Sequence, residues 1–313
     1  MTSLADFLDE LAKSLQFVPS TLDSIKSCIL ITIKACTDKD YINTYELTAI
    51  TSKYHKDCPA LVFKLPDWNL VLVLEQLCTA PFEPLHEASF KLLTYKTVFL
   101  VAMACSCRVS ELHALAFNKL SHTPDWDTVF LEAKSDFLAK NQSSRDPKFV
   151  RQFKLKALVK PANKVSFIPG SKEAQTYNKH KLLCPVRALR MYLARSLSRR
   201  TPSKKALFVS LHAKHKNDIT KQSVGNWVRK TILLCYNLVG DNPQNLGRAT
   251  VHEIRALTSS IKFERNLSLD SVLKSCIWKN NNTFTKYYLR DVALVSDALY
   301  RLPPVFMSQC RLY

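Results

Sequence analysis

Four polar clusters stand in this 313-residue chain where apolar residues would be expected. Arg108 closes a strongly apolar stretch, FLVAMACSCRVSELHAL, and Glu111 follows three residues on, close enough along a helix to form a salt bridge. His252 and Arg255 have the same spacing in ATVHEIRALTSS, with Val251, Ile254 and Leu257 able to pack inward. Trp278 lies in SCIWKNNNTF, and the pair Tyr287 and Tyr288 in FTKYYLRDV. Each cluster taken alone has a plain structural reading: a salt bridge, a chance H-x-x-R, or core aromatics.

Taken together they suit one kind of chemistry. A tyrosine attacks a phosphodiester only if the charge developing on the non-bridging oxygens is neutralised, and bidentate arginines do this without any proton transfer. A lysine can protonate the leaving 5′-oxygen as general acid, while a histidine moves protons around the nucleophile. Such chemistry needs no Mg²⁺ and no cofactor. No acidic metal-binding cluster is visible in the sequence, and neither Cys105 with Cys107 nor His212 with His215 has a second half at zinc-finger spacing.

The charge distribution names the substrate class. The chain carries +19 overall, yet residues 134 to 230 hold 24 basic and 4 acidic side chains, a net +20, leaving the rest at −1. A field concentrated in one third of the chain attracts polyanions, with nucleic acid the default partner. With only 4 glycines there is no G-x-G-x-x-G and no G-x-x-x-x-G-K-[ST], which excludes dinucleotide enzymes and P-loop NTPases. No apolar run reaches the ~18 residues of a membrane helix, and the start MTSLADFLDE has no signal-peptide core. Neither a membrane nor a small-molecule substrate is expected. The ten cysteines sit among apolar positions and read as reduced, buried thiols.

The elements that must position these residues follow from periodicity. Residues 4 to 37 read as two helices, the second starting at Pro19, and INTYELTAITSKYH as a third. A polar break at Lys56-Asp57-Cys58-Pro59 and a helix start at Leu65-Pro66-Asp67, with Asp67 as N-cap of WNLVLVLEQLC, place a domain boundary near residues 58 to 66. LHEASFKLLTYKTVFLVAMAC and SELHALAF read as helices. DTVFLEAKSDFLAK and FVRQFKLKALVK alternate as strands, and ALFVSL is a short apolar strand. VRALRMYLARSL, KQSVGNWVRKTILLCYNLV, TVHEIRALTSSIKF, SLDSVLKSCIW and TFTKYYLRDVALVSDALY return to helix. The fold class is mainly α with a small antiparallel β-sheet, split into a helical domain over 1–60 and a larger domain over 61–313.

These motifs, in this order, resemble the tyrosine recombinases of the phage-integrase or Cre-like family over nearly the whole chain. CRVSELHAL is similar to the first-arginine motif, HEIR to the H-x-x-R box and TFTKYYLRDV to the nucleophile box. PDWNLVLVLEQL, APFEPL, KTVFLVAMACSCRVSELHAL, DFLAKNQ, LCPVRAL and NTFTKYYLRDV resemble most closely the recombinases of DIRS-like retrotransposons. The resemblance implies a tyrosine-recombinase catalytic fold over 61–313, behind a SAM-like helical core-binding domain over 1–60 that is shorter than usual.

It also implies roles. Arg108 and Arg255 would stabilise the transition state, Glu111 would support the site from behind, and His252 and Trp278 would position the phosphate. The general-acid lysine lies on a β-hairpin in the family; Lys140 in DFLAKNQ matches it, with Lys134 the alternative. Tyr288, followed by LRD, matches the nucleophile, while the commoner family spacing from the Trp278 position would choose Tyr287. The basic third would grip the DNA backbone through Lys148, Arg151, Lys154, Lys156, Arg199, Arg200, Lys204 and Lys205. The partners implied are double-stranded DNA and further copies of the chain, as a tetramer on paired sites. Val295, Leu299, Leu302 and Phe306 give the C-terminal stretch an apolar face that such a neighbour could accept. A mobile-element integrase would work in the nucleus after cytoplasmic synthesis. Two other functions use similar residues: a type IB topoisomerase-like enzyme that relaxes DNA, and an inactive, domesticated DNA-binding protein.

Overall fold

The computed structural model describes residues 4–15, 17, 19–37, 45–57, 66, 68–139, 152–159, 168–201, 205–212, 219–241, 249–264, 268–275, 284–285 and 288–289. The chain divides into two compact units, Met1–Val62 and Phe63–Tyr313. The first unit holds α1 (Leu4–Leu15), α2 (Pro19–Thr37) and α3 (Tyr45–Asp57). Asp6 in the first turn of α1 and Lys13 in its last suit the helix dipole. Ala5, Leu8, Leu30 and Leu47 form a small buried core. The Tyr54 hydroxyl donates to Asp9 Oδ1 at 2.6 Å and so ties α3 to α1.

The second unit is built around α5 (Phe90–Cys105), a helix buried on almost every side from Leu93 onward. A helix apolar all round must be central. It packs against α8 (Pro185–Ser196), α9 (Lys221–Leu238) and α10 (Val251–Glu264). Ahead of it, α4 (Leu70–Gln76) is capped by Asn69, whose Oδ1 accepts from Val71 N at 2.8 Å and Leu72 N at 3.3 Å. Asn69 thus takes the capping role expected of Asp67, which lies outside the described residues. α5 itself begins only after its cap, Ser89, whose Oγ accepts from the Leu92 N–H at 3.3 Å.

Between α6 (Val109–Ala114) and α7 (Lys172–Leu182) runs a three-stranded antiparallel sheet of β1 (Ser121–His122), β2 (Thr128–Glu132) and β3 (Gln152–Lys156) in the order β1-β2-β3. The register pairs Val129 with Leu155 and Leu131 with Phe153, so these four bury one face. Lys154 and Lys156 therefore point to the other face, where the Lys154 ammonium lies 5.8 Å from the Phe130 ring centre. α7 was not anticipated, because KEAQTYNKHKL has no apolar stripe and none of its residues is buried.

ALFVSL is apolar and buried but is not a strand. Ala206 makes a single bridge to Ala116. The Ala206 and Leu207 carbonyls then accept hydrogen bonds from the Arg200 guanidinium instead of a neighbouring strand. A side chain satisfies the backbone that a ladder would otherwise need.

A buried ionic cluster locks α5 to α8. Glu83 accepts from the fully buried Lys96 Nζ at 2.5 Å and, in a fork, from Arg187 Nη1 at 2.7 Å and Nη2 at 2.9 Å. Burial pushes the Glu83 carboxyl up, but the hydrogen bonds and charges of Arg187 and Lys96 outweigh it and hold the carboxyl below its usual range. A carboxyl with a lowered folded-state pKa stabilises the fold above the ordinary glutamate value, near pH ~4.3, and loses that contribution as pH falls through the folded value. Denaturant midpoints measured between pH 6 and 3 should fall, and the fall should be smaller in Glu83→Gln.

Candidate active site

The site is assembled from the end of α5, the start of α6, the first half of α10 and the segment around residue 288. Its base is Glu111, 1% exposed and placed at the third position of α6. Its Oε2 accepts from the Arg108 backbone N–H at 2.8 Å and its Oε1 from Arg108 Nη1 at 3.0 Å. The reach-back to the backbone is half of a capping box, and it starts α6 at Arg108. The same carboxylate meets Arg255 Nη1 at 3.5 Å. One buried anion thus joins two arginines that lie far apart in sequence.

Arg255 is wholly buried, while Arg108 keeps 18% of its side chain accessible. Arg255 Nη1 also donates to the Ser106 carbonyl at 2.6 Å. Ser106 ends α5 in the left-handed region at φ 46°, a conformation that turns the chain sharply and sends Arg108 back into the site. Next to it, the hydrogen bond to Cys105 and complete burial push the Cys107 thiol well above its ordinary value. It lies near Glu111 and Arg255 as an unreactive packing group.

His252 is one turn before Arg255 on α10 and is exposed. Its ring lies 4.6 Å from the Tyr288 ring, centre to centre, and its Nδ1 is 3.4 Å from the Tyr288 hydroxyl. In the tautomer with hydrogen on Nε2, Nδ1 accepts the phenolic proton. At 3.4 Å the bond is long, as catalytic hydrogen bonds often are before substrate tightens them. Tyr288 is 8% exposed, and the Arg255 guanidinium carbon stands 5.7 Å from its ring centre. Its backbone N–H bonds to the Phe284 carbonyl at 2.9 Å, and its own carbonyl accepts from Ser260 Oγ at 3.1 Å. Phe284, Val272 and Ala256 form a buried cluster with Tyr288.

Arg108, Glu111, His252, Arg255 and Tyr288 therefore occupy one place. Lys140, Trp278 and Tyr287 lie outside the described residues. Lys134 is half-buried and its backbone N–H bonds to the Ala114 carbonyl at 2.8 Å. That anchors it at the far end of α6 from Arg108, about 9 Å away at 1.5 Å per residue.

The residues proposed to grip DNA behave unequally. Lys154 and Lys156 share the outer face of β3, and Lys205 is exposed. Arg200 is turned inward. It donates to Ser196 Oγ, Ala206 and Leu207 and stacks 3.9 Å over Phe117. Arg199 bonds to the Leu211 carbonyl at 3.2 Å and stacks 4.3 Å over Phe90. In this structure both arginines staple the loop after α8. Lys148, Arg151 and Lys204 are outside the described residues.

Sequence reasoning passed over Ser106, Thr258, Ser260 and Lys262, all buried around Arg255. The signal was present, since TSS and a lysine interrupt the inner side of an otherwise packed helix. Among the described residues there is no cluster of metal-ligating side chains, and no helix long and apolar enough to cross a membrane.

No family profile and no curated protein matches this chain. Solved structures do. The XerH site-specific recombinase bound to palindromic difH substrate, in a post-cleavage complex, aligns with 91% of this chain and 68% of its own at a TM-score of 0.57 and 13% identity. XerH bound to difH in a pre-cleavage complex covers 90% and 72%, with a TM-score of 0.44 and 14% identity. The XerA recombinase covers 99% and 91%, with a TM-score of 0.46 and 14% identity. Mostly helical, with one small three-stranded antiparallel sheet, the chain has the fold of the tyrosine recombinases.

Proposed function

We propose that this protein is a DNA-cleaving and rejoining site-specific recombinase that acts through a 3′-phosphotyrosyl intermediate. The observation that carries the reading is the meeting of Arg108, Glu111, His252, Arg255 and Tyr288, drawn from three separate stretches of sequence, on the fold of a recombinase. The XerH structure captured after cleavage of its difH substrate has that fold.

The chemistry follows from the groups. The Tyr288 phenol gives its proton to His252 as its oxygen forms a bond to phosphorus. The bond from phosphorus to the 5′-oxygen breaks, and that oxygen takes a proton from a lysine, Lys140 or the alternative Lys134. Arg108 and Arg255 neutralise the charge that builds on the non-bridging oxygens. Attack by a partner strand's 5′-hydroxyl reverses the step, so the bond energy is kept and no nucleotide cofactor is consumed. Trp278 is assigned to the phosphate through its indole N–H.

The finer assignments extend this reading. The segment likeness to DIRS-like elements supports integration of a mobile element, hence work in the nucleus, and strand exchange calls for a tetramer on paired sites. The test is a suicide substrate, a nicked duplex that loses its 5′-hydroxyl on cleavage. A protein–DNA adduct that survives denaturation is expected; none would leave only a binding role, and paired sites yielding only relaxed circles would make it a topoisomerase. Affinity should be strongly salt-dependent: with six to ten phosphate contacts, binding falls roughly 10³- to 10⁵-fold between 50 and 200 mM salt. Titrations at four salt concentrations measure the slope, and a flat line would remove the basic third from the interface.

A further inference from the structure

Lys262 is fully buried on α10, two turns beyond Arg255, and the chemistry above does not use it. Its Nζ donates to Ser106 Oγ at 2.9 Å, a neutral hydroxyl. Among the described residues no carboxylate is paired with it. An ammonium taken out of water without an anion is costly, and methionine would fill the same volume without that cost. A residue that breaks a local rule of stability points to a functional constraint.

The hydrogen bonds indicate the constraint. Lysine only donates, so Ser106 Oγ accepts from Lys262, and its own hydrogen goes to Thr258 Oγ1 at 2.9 Å, the Met103 carbonyl being a longer acceptor at 3.4 Å. Thr258 Oγ1 in turn reaches the Arg255 carbonyl at 3.3 Å, and Arg255 Nη1 returns to the Ser106 carbonyl at 2.6 Å. The bonds close a ring that holds Arg255 by its backbone and its guanidinium, with Ser106 at the junction of α5 and the turn to Arg108. Every residue in the ring is fully buried. Each bond polarises the next, and the ammonium gives the ring its direction.

We propose that Lys262 is a positioning residue which, through Ser106, holds the Arg255 guanidinium in the geometry that phosphoryl transfer requires. This rests on the recombinase reading. Its test uses the full chain and two variants. Ser106→Gly removes the acceptor while glycine takes up φ 46° without strain, and Lys262→Met removes the donor and keeps the volume without leaving a buried charge. DNA affinity should stay within about twofold in both, while single-turnover adduct formation falls about 100-fold, the cost of a ~1 Å misplacement. The double variant should be no slower than the slower single, because both act through one path.

A second readout is independent of activity. Hydrogen exchange at the Arg255 guanidinium, followed by ¹⁵N NMR and assigned with Arg255→Lys, should be at least about tenfold faster in both variants, as expected when a protecting hydrogen bond is lost. Unchanged exchange overturns the proposal whether or not the wild type cleaves DNA. So do losses in cleavage that multiply in the double variant. A wild type that forms no adduct sinks the recombinase reading alone, and the exchange measurement still decides the role of Lys262.

Discussion

Tyr288→Phe should abolish the covalent protein–DNA adduct, lowering single-turnover cleavage by on the order of 10⁴-fold or more while DNA affinity is unchanged. In the proposed reaction the phenol oxygen is the atom that bonds to phosphorus, and phenylalanine offers no oxygen in its place. Loss of the ring's packing is not at issue, because phenylalanine keeps the contact with His252 at 4.6 Å and the burial against Phe284. The hydroxyl meets His252 Nδ1 in a long hydrogen bond, and losing that contact costs little stability. His252→Ala should be milder, about 10²- to 10⁴-fold, since a proton acceptor assists the attack and water can substitute in part. Tyr287→Phe is the control and should still form the adduct. Denaturing gels with a labelled suicide substrate read all three. An adduct that survives Tyr288→Phe and disappears in Tyr287→Phe moves the nucleophile by one residue.

The two arginines stand out in the sequence because each interrupts a strong apolar pattern, whereas Tyr288 is singled out only by the resemblance of its motif. Arg108 follows a helix with hardly a polar residue in its second half, and Arg255 stands on the inner side of α10. Periodicity finds such residues but is silent on what lies across the packing boundary. Glu111 read as a partner for Arg108, three residues away. Its contact with Arg255, 144 positions on, depends on how α10 packs against α5 and α6. Lys262 and Ser106 were missed for the same reason, since the hydrogen bond that joins them spans 156 positions.

Two departures from the sequence reading, ALFVSL and α7, have local causes. ALFVSL has the composition of a strand, but a guanidinium from the preceding turn satisfies its carbonyls. α7 has no apolar stripe because it lies on the surface, where propensity and the Ser171 cap suffice. Arg199 and Arg200 belong to a run that charge alone assigns to DNA. Their rings of contact, Phe90 for one and Phe117 for the other, are built by folding and leave no trace in the local sequence.

Glu111→Gln should be the most damaging single change that touches no reacting atom. The carboxylate stands between Arg108 and a wholly buried Arg255, and it also receives the backbone N–H that begins α6. Glutamine is isosteric but neutral, and its amide N–H₂ would face guanidinium donors. Removing one partner of a buried ion pair leaves an uncompensated charge, worth about 3 to 5 kcal/mol of stability. For a domain of this size that lowers Tm by on the order of 10 °C. Cleavage should fall with it, roughly 100-fold, because both arginines lose the group that aims them. Glu111→Asp keeps the charge but cannot span both arginines, so it should lie between the two. The sign of a ligand effect separates this explanation from simple loss of packing. A bound phosphodiester supplies the missing anion, so a DNA duplex should raise the Tm of Glu111→Gln by more than it raises the wild type's. Thermal melts with and without duplex at fixed low salt measure that difference. An equal or smaller rise in the variant would mean that Glu111 supports the α6 cap and not the arginines.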